Sequence, residues 1–218
     1  MPAATPTNPA AIQAALSLPR SGTYIAAVGG DLTRAMDLYG WNARTSANLM
    51  LPSHFAEVVT RNAAAEVLEA VYGARWPWSS TFEASLPHPA QGWSARREIR
   101  NVRANQPTTG KVIAELKFVF WQKLFTKRHD VRLWAPHIAT AFPGAPAMPA
   151  ASLRDRVYRD LEALRLLRNR LAHHEPVITR NLLDDLNRML DLVELRNADT
   201  AAWVRTMEDA TQSIAERP

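Results

Sequence analysis

The sequence predicts an all-α fold, a single bundle of about eight helices over residues 1–218, on two observations. Apolar residues recur at three- and four-residue spacing almost throughout, and no short alternating run bounded by turn residues suggests a strand. No repeat of fixed period is visible. With 218 residues, 47% of them hydrophobic, the chain is long enough to bury one full core.

The first 50 residues are the least distinctive. Asn8-Pro9 opens a short amphipathic helix that ends near Leu18-Pro19, because proline fits a first turn and pushes the residue before it out of the α region. A second helix runs from about Thr23 or Asp31 to Leu49, with Gly29-Gly30 leaving its start open. Leu51-Pro52 predicts a break, and Phe55, Val58, Val59, Ala65, Leu68 and Val71 then mark a helix ending at Gly73. Residues 74–93, rich in Pro and Trp and without period, read as a long loop packed by Trp76, Trp78 and Trp93.

Ser94 caps a basic helix containing Arg96, Arg97, Arg100 and Arg103. Thr109 is the next N-cap, and Val112, Ile113, Leu116, Val119, Phe120 and Leu124 make the most apolar stretch, read as the central core helix. A short helix over about Leu133 to Phe142 is broken by Pro136, and a loop over Phe142 to Pro149 follows. A long helix spans Ser152 to about Ala172 and is ended by Pro176; two more, about Leu182 to Leu195 and Thr200 to Ala215, complete the chain.

Composition removes several chemistries. The chain has no cysteine, which excludes disulfides, thiolate metal sites and cysteine nucleophiles. The N-terminus has no basic stretch before its weakly apolar segment, so it is not a signal peptide, and no apolar run reaches the roughly 18 to 20 residues that span a bilayer. A soluble, cytoplasmic protein without membrane contact is expected. His129-Asp130 and His137 lack the spacing of a metal site, and Gly29-Gly30-Asp31 lacks the further glycines of a phosphate loop. No metal and no cofactor are expected.

Charge is uneven. Net charge is −1 over residues 1–93, +10 over 94–174 and −4 over 175–218, within an overall +5. A basic middle suits a polyanion partner such as RNA, although solvated helix faces or ion pairs with Glu98 and Glu115 would account for the same arginines. The tryptophans either pack the loop or stack unpaired bases.

One arginine stands out. On the 152–172 helix, Leu153, Val157, Leu164, Leu167 and Leu171 define an apolar arc that contains Arg168, whereas Arg154, Arg156, Arg165 and Arg170 lie outside it. A guanidinium in that arc must be paired, or lie at an interface or cleft. His173, His174 and Glu175 follow. On a continuous helix Arg168 and His173 point about 140° apart, so either the helix distorts at Ala172 or the two meet groups of a second chain. Basic groups at this end also complement the helix dipole and its last carbonyls without any catalytic role.

The string Arg168-Asn169-Arg170-Leu171-Ala172-His173-His174-Glu175-Pro176 resembles the Arg-x4–6-His signature of HEPN domains, in the Arg-Asn-x3-His form. The doubled histidine before Glu-Pro is similar to the abortive-infection (Abi-like) family of that superfamily. So are Gly110 to Trp121, Arg132-Leu133-Trp134-Ala135-Pro136 and Ala141-Phe142-Pro143-Gly144, and the resemblance covers roughly residues 50–195. It implies a HEPN-like helical bundle, usually a homodimer, whose arginine and histidine converge at the subunit interface. Many members are metal-independent endoribonucleases acting as toxins or in phage defence, some with an antitoxin protein; others only bind. The resemblance implies that Arg168 and His173 occupy the catalytic positions, with Asn169, His174 and Glu175 in support.

Those residues suit cleavage of RNA by its own 2′-OH. The nucleophile is already tethered, so the protein needs a group titrating near neutrality and a cation for the phosphorane oxygens, which histidine and arginine supply. A catalytic site should leave Arg168 and His173 exposed in a basic cleft without an intramolecular carboxylate. A buried pair between Arg168 and an acidic residue favours a structural role.

Overall fold

The computed structural model describes residues 6–218; the reading of the extreme N-terminus falls partly on residues 1–5, outside them. The described chain is helical, with no strand. It holds α1 (Pro9–Leu16), α2 (Leu18–Ala27), α3 (Leu32–Tyr72), α4 (Ser80–Ser85), α5 (Ala95–Asn105), α6 (Thr109–Glu115), α7 (Phe118–Leu124), α8 (Ala135–Ala141), α9 (Ala150–Ala172), α10 (Leu182–Arg196), α11 (Ala198–Met207) and α12 (Ala210–Ala215). Among the described residues no helix is long and apolar enough to cross a membrane. Among the described residues twelve α-helices replace the expected eight or so.

The spine is α3, not the 109–124 stretch. Its 41 residues extend about 60 Å at 1.5 Å per residue, and α2, α9, α10 and α12 pack along it. Asp31 starts it by accepting the Arg34 N–H at 3.0 Å, and Gly73 ends it. The break expected at Pro52 does not occur. A proline inside a helix removes one hydrogen bond and costs about 3 kcal/mol. Burial on both sides, of Leu49, Ser53 and Ala56, offsets that cost. Tertiary packing here overrides a strong local signal.

Elsewhere helices divide. The 109–124 stretch splits because Leu116 turns extended and Lys117 gives its N–H to Glu98 Oε1 at 2.7 Å, so no helical carbonyl receives it. Thr108, not Thr109, caps α6. The last predicted helix splits at Glu208, whose carboxylate takes the Thr211 N–H at 2.9 Å and begins α12. Residues 74–93 are not all loop: a 3-10 turn at Trp76–Trp78 precedes α4, with Trp76 buried edge-on against Phe82 and Trp121. Pro136 sits in the first turn of α8, where proline is tolerated, behind a π-helical turn at Asp130–Trp134.

Burial also reverses the order of two arginines. Arg154, outside the apolar arc, is 5% exposed and held by Asp130 through Nε at 2.7 Å and Nη2 at 3.1 Å. That ion pair fixes the π-helical turn to α9. Beside it His129 is buried, and burial foremost, then the Arg128 charge, lowers its pKa from 6.5 to about 4, against an opposing pull from Asp130. Between those values the unfolded chain takes up a proton that the folded chain refuses. Stability is therefore complete above pH 6.5 and falls as the pH drops toward 4, by about 2 to 3 kcal/mol. Unfolding free energies from urea titrations across this interval should fall by about that much less in His129→Gln; an equal fall in both proteins would contradict the assignment.

Candidate functional site

The sequence-predicted residues all lie at the C-terminal end of α9. The helix is regular to Ala172, with His173 as its C-cap. The Glu175 N–H bonds the Arg170 carbonyl at 2.8 Å and the His174 N–H bonds that of Leu171 at 3.2 Å, the paired closure that normally places glycine in the left-handed position. At the end of α2 the same pair of bonds puts Gly29 there, at φ 70°. At the end of α9 the residue is His174, at φ 55°. A side chain in that conformation costs on the order of 1 kcal/mol relative to glycine, and such strain collects at functional sites.

His173 and His174 are both exposed, as is Asn169, whose carbonyl receives the His173 N–H at 3.0 Å. Glu175 is paired with Arg170 at 3.5 Å, and Arg170 also reaches the Pro176 carbonyl. Arg168 leaves α9 on the flank beside α3, where its Nε lies 2.9 Å from Glu57 Oε2. Its side chain is 41% exposed and that of Glu57 18%. Arg168 is thus paired with an intramolecular carboxylate, contrary to the expectation for a catalytic site, but the pair is not buried and is open to solvent on the arginine side. Its two Nη groups make no hydrogen bond to another described residue. One turn beyond Glu57, Arg61 has no acidic partner among the described residues. No hydrogen bond joins Arg168 to His173, and their directions from a regular helix differ by about 140°.

The basic middle of the chain behaves differently. Arg96 donates to the Ala84 and Leu86 carbonyls at 2.8 Å each, and Arg97 to that of Gly92. Arg100 reaches Glu83 at 2.6 Å, and Arg103 reaches Glu83 and the Pro77 carbonyl. Arg128 takes the Ser85 carbonyl at 2.8 Å. Arg96, Arg97, Arg100 and Arg103 lace residues 77–92 to α5, and the carboxylate that Arg100 and Arg103 share is Glu83 rather than Glu98 or Glu115. Hydrogen bonds from Arg100 first and Arg103 after it lower the Glu83 pKa. Trp78 lies under Arg75, and Trp93 donates to Glu98. The three tryptophans of this region therefore have packing partners, whereas Trp203 on α11 is 55% exposed against Phe55.

Sequence reasoning missed Glu57 and Arg61, since the antiparallel register of α3 against α9 that brings Glu57 to Arg168 is written in no local pattern. It also missed Arg20, whose Nη2 donates to the His174 carbonyl and ties α2 to the turn. Among the described residues no three His, Asp or Glu side chains are grouped so as to hold a metal ion. Comparison with protein-family models, with curated proteins and with solved structures gives no match for the chain.

Proposed function

We propose that the chain is a metal-independent endoribonuclease of the Abi-like, HEPN type, in which His173 is the general acid/base and Arg168 holds the scissile phosphate. The observation that carries this reading is the state of Arg168: it is paired with Glu57 at 2.9 Å, yet its side chain is 41% exposed, at the helix end where His173 is exposed. A guanidinium paired on one side and partly exposed keeps donors for a phosphate in a forked contact. Because Arg168 and His173 leave one helix in different directions, the reading needs a homodimer, in which the arginine of one subunit and the histidine of its partner meet at one phosphate. Asn169 orients the phosphate or the histidine, and Arg61 extends the cationic track. The resemblance implies phage abortive infection or toxin action as the setting, with an antitoxin as a further partner.

The test is cleavage of RNA by the purified chain in EDTA, on a substrate carrying a single 2′-deoxy substitution at the cut nucleotide. Cleavage of the ribose substrate and not of the deoxy one is the expected result. Cleavage of both rejects 2′-OH attack. The Glu57 ion pair favours a second reading, a non-catalytic RNA- or partner-binding protein; RNA bound and left intact would give that reading.

A further inference from the structure

Beside the His174 turn lies a cleft of about 460 Å³ between α2, α3 and the end of α9, within the range of small-molecule sites. Its polar lining is Arg20, Tyr24, Tyr39, Asn42, Ser46 and His174; Ala47, Met50 and Leu171 supply apolar wall. Four of these side chains carry a polar atom without a partner among the described residues. Ser46 Oγ is buried and unbonded. Asn42 is 5% exposed and its Oδ1 accepts the Val177 N–H at 2.8 Å, leaving its Nδ2 without a partner among the described residues. The Tyr24 and Tyr39 hydroxyls, on rings 4.8 Å apart, likewise bond no described residue.

Buried polar groups in folded proteins are almost always hydrogen-bonded; the Ser46 hydroxyl is not, and three more polar groups opening on the same cleft bond no described residue, which together suit a polar occupant. Its chemistry follows from the lining. No carboxylate faces the cleft and Arg20 does, which disfavours a cation and suits a neutral or anionic ligand. Hydroxyls that both donate and accept, with one amide donor, read a planar edge of mixed donors and acceptors. The phenol rings and Met50 give the flat, apolar contact that an unstacked base takes in single-stranded RNA.

We propose that this cleft binds a nucleobase, and that it seats the base of the nucleotide adjoining the scissile phosphate and so sets where RNA is cut. The placement next to a scissile phosphate rests on the ribonuclease reading; the recognition of a base does not. His174 forms part of the wall and His173 precedes it in the same turn, so a nucleotide whose base occupies the cleft has its backbone beside His173. Arg20, which also holds the His174 carbonyl, is the cation nearest that nucleotide's phosphate.

Calorimetric titration of the full chain with the four nucleoside 3′-monophosphates and with ribose 5-phosphate tests this. At least one nucleotide should bind tenfold or more tighter than ribose 5-phosphate. Ser46→Leu, which fills the cleft, should abolish that difference, and Tyr39→Phe, which removes one hydroxyl alone, should weaken it at least threefold. Both should change base preference at mapped cleavage sites. Nucleotides binding no tighter than ribose 5-phosphate, or Tyr39→Phe leaving affinity and preference unchanged, would overturn the proposal. RNA cleavage without nucleotide binding removes the base site and leaves the ribonuclease reading; base-selective binding without cleavage does the reverse.

Discussion

Replacing His173 with alanine is expected to slow RNA cleavage by about 10²- to 10⁴-fold, the usual contribution of a positioned general acid/base. Arg168→Ala should slow it by about 10²- to 10³-fold, comparable to removing a donor that stabilises transition-state charge. Neither variant should unfold the protein. His173 is an exposed C-cap, and the half-exposed Arg168–Glu57 pair contributes less than about 1 kcal/mol once solvent screening is considered. Arg168→Lys keeps the charge and loses the fork, so it should recover part of the rate and not all of it. Single-turnover rates beside thermal midpoints separate the two effects. Unchanged rates in both alanine variants would remove these residues from the chemistry.

The largest effect on stability is expected at Gly144, in the turn between α8 and α9. Its N–H bonds the Leu195 carbonyl at 3.0 Å, and a Cβ built on it would lie 2.4 Å from the Glu194 carbonyl oxygen and 3.2 Å from that of Leu195. Those atoms are backbone near the end of α10, so the turn or the helix must move. Gly144→Ala should cost about 3 kcal/mol, a fall in thermal midpoint of roughly 6–12 °C for a chain of this size. Gly22 is the matched control. It lies inside α2, and a Cβ added there would meet nothing within 4 Å, so Gly22→Ala should raise stability by about 0.5 to 1 kcal/mol. Equal effects at the two positions would contradict the packing of this turn on α10.

Local signals were enough for the helical class and for several termini. Ser94 caps α5 and Gly73 closes α3 as their residue types demand, and α9 and α10 fall close to their predicted bounds. What the pattern does not carry is the competition between local and distant partners. Pro52 is a breaker by chemistry, but it is overridden by the burial around it. Glu98 divides an apolar stretch by taking one backbone N–H from nineteen residues away. The π-helical turn that encloses Arg154 lies outside any helical wheel, which is why the wheel singled out Arg168 as the anomalous arginine when Arg154 is the buried one. At the site, the cluster from Arg168 to Glu175 was legible as a motif on one helix end. Glu57, Arg20 and the cleft were not, because they come from α2 and α3 and meet α9 through tertiary register alone.

The central claim, that this chain cuts RNA without metal through Arg168 and His173, is tested most directly by inducing wild type and His173→Ala in cells and sequencing RNA that carries 5′-hydroxyl ends. Wild type should halt growth and leave discrete new 5′-hydroxyl ends, and His173→Ala, accumulated to the same level, should do neither. Identical RNA ends in the two cultures would contradict the account.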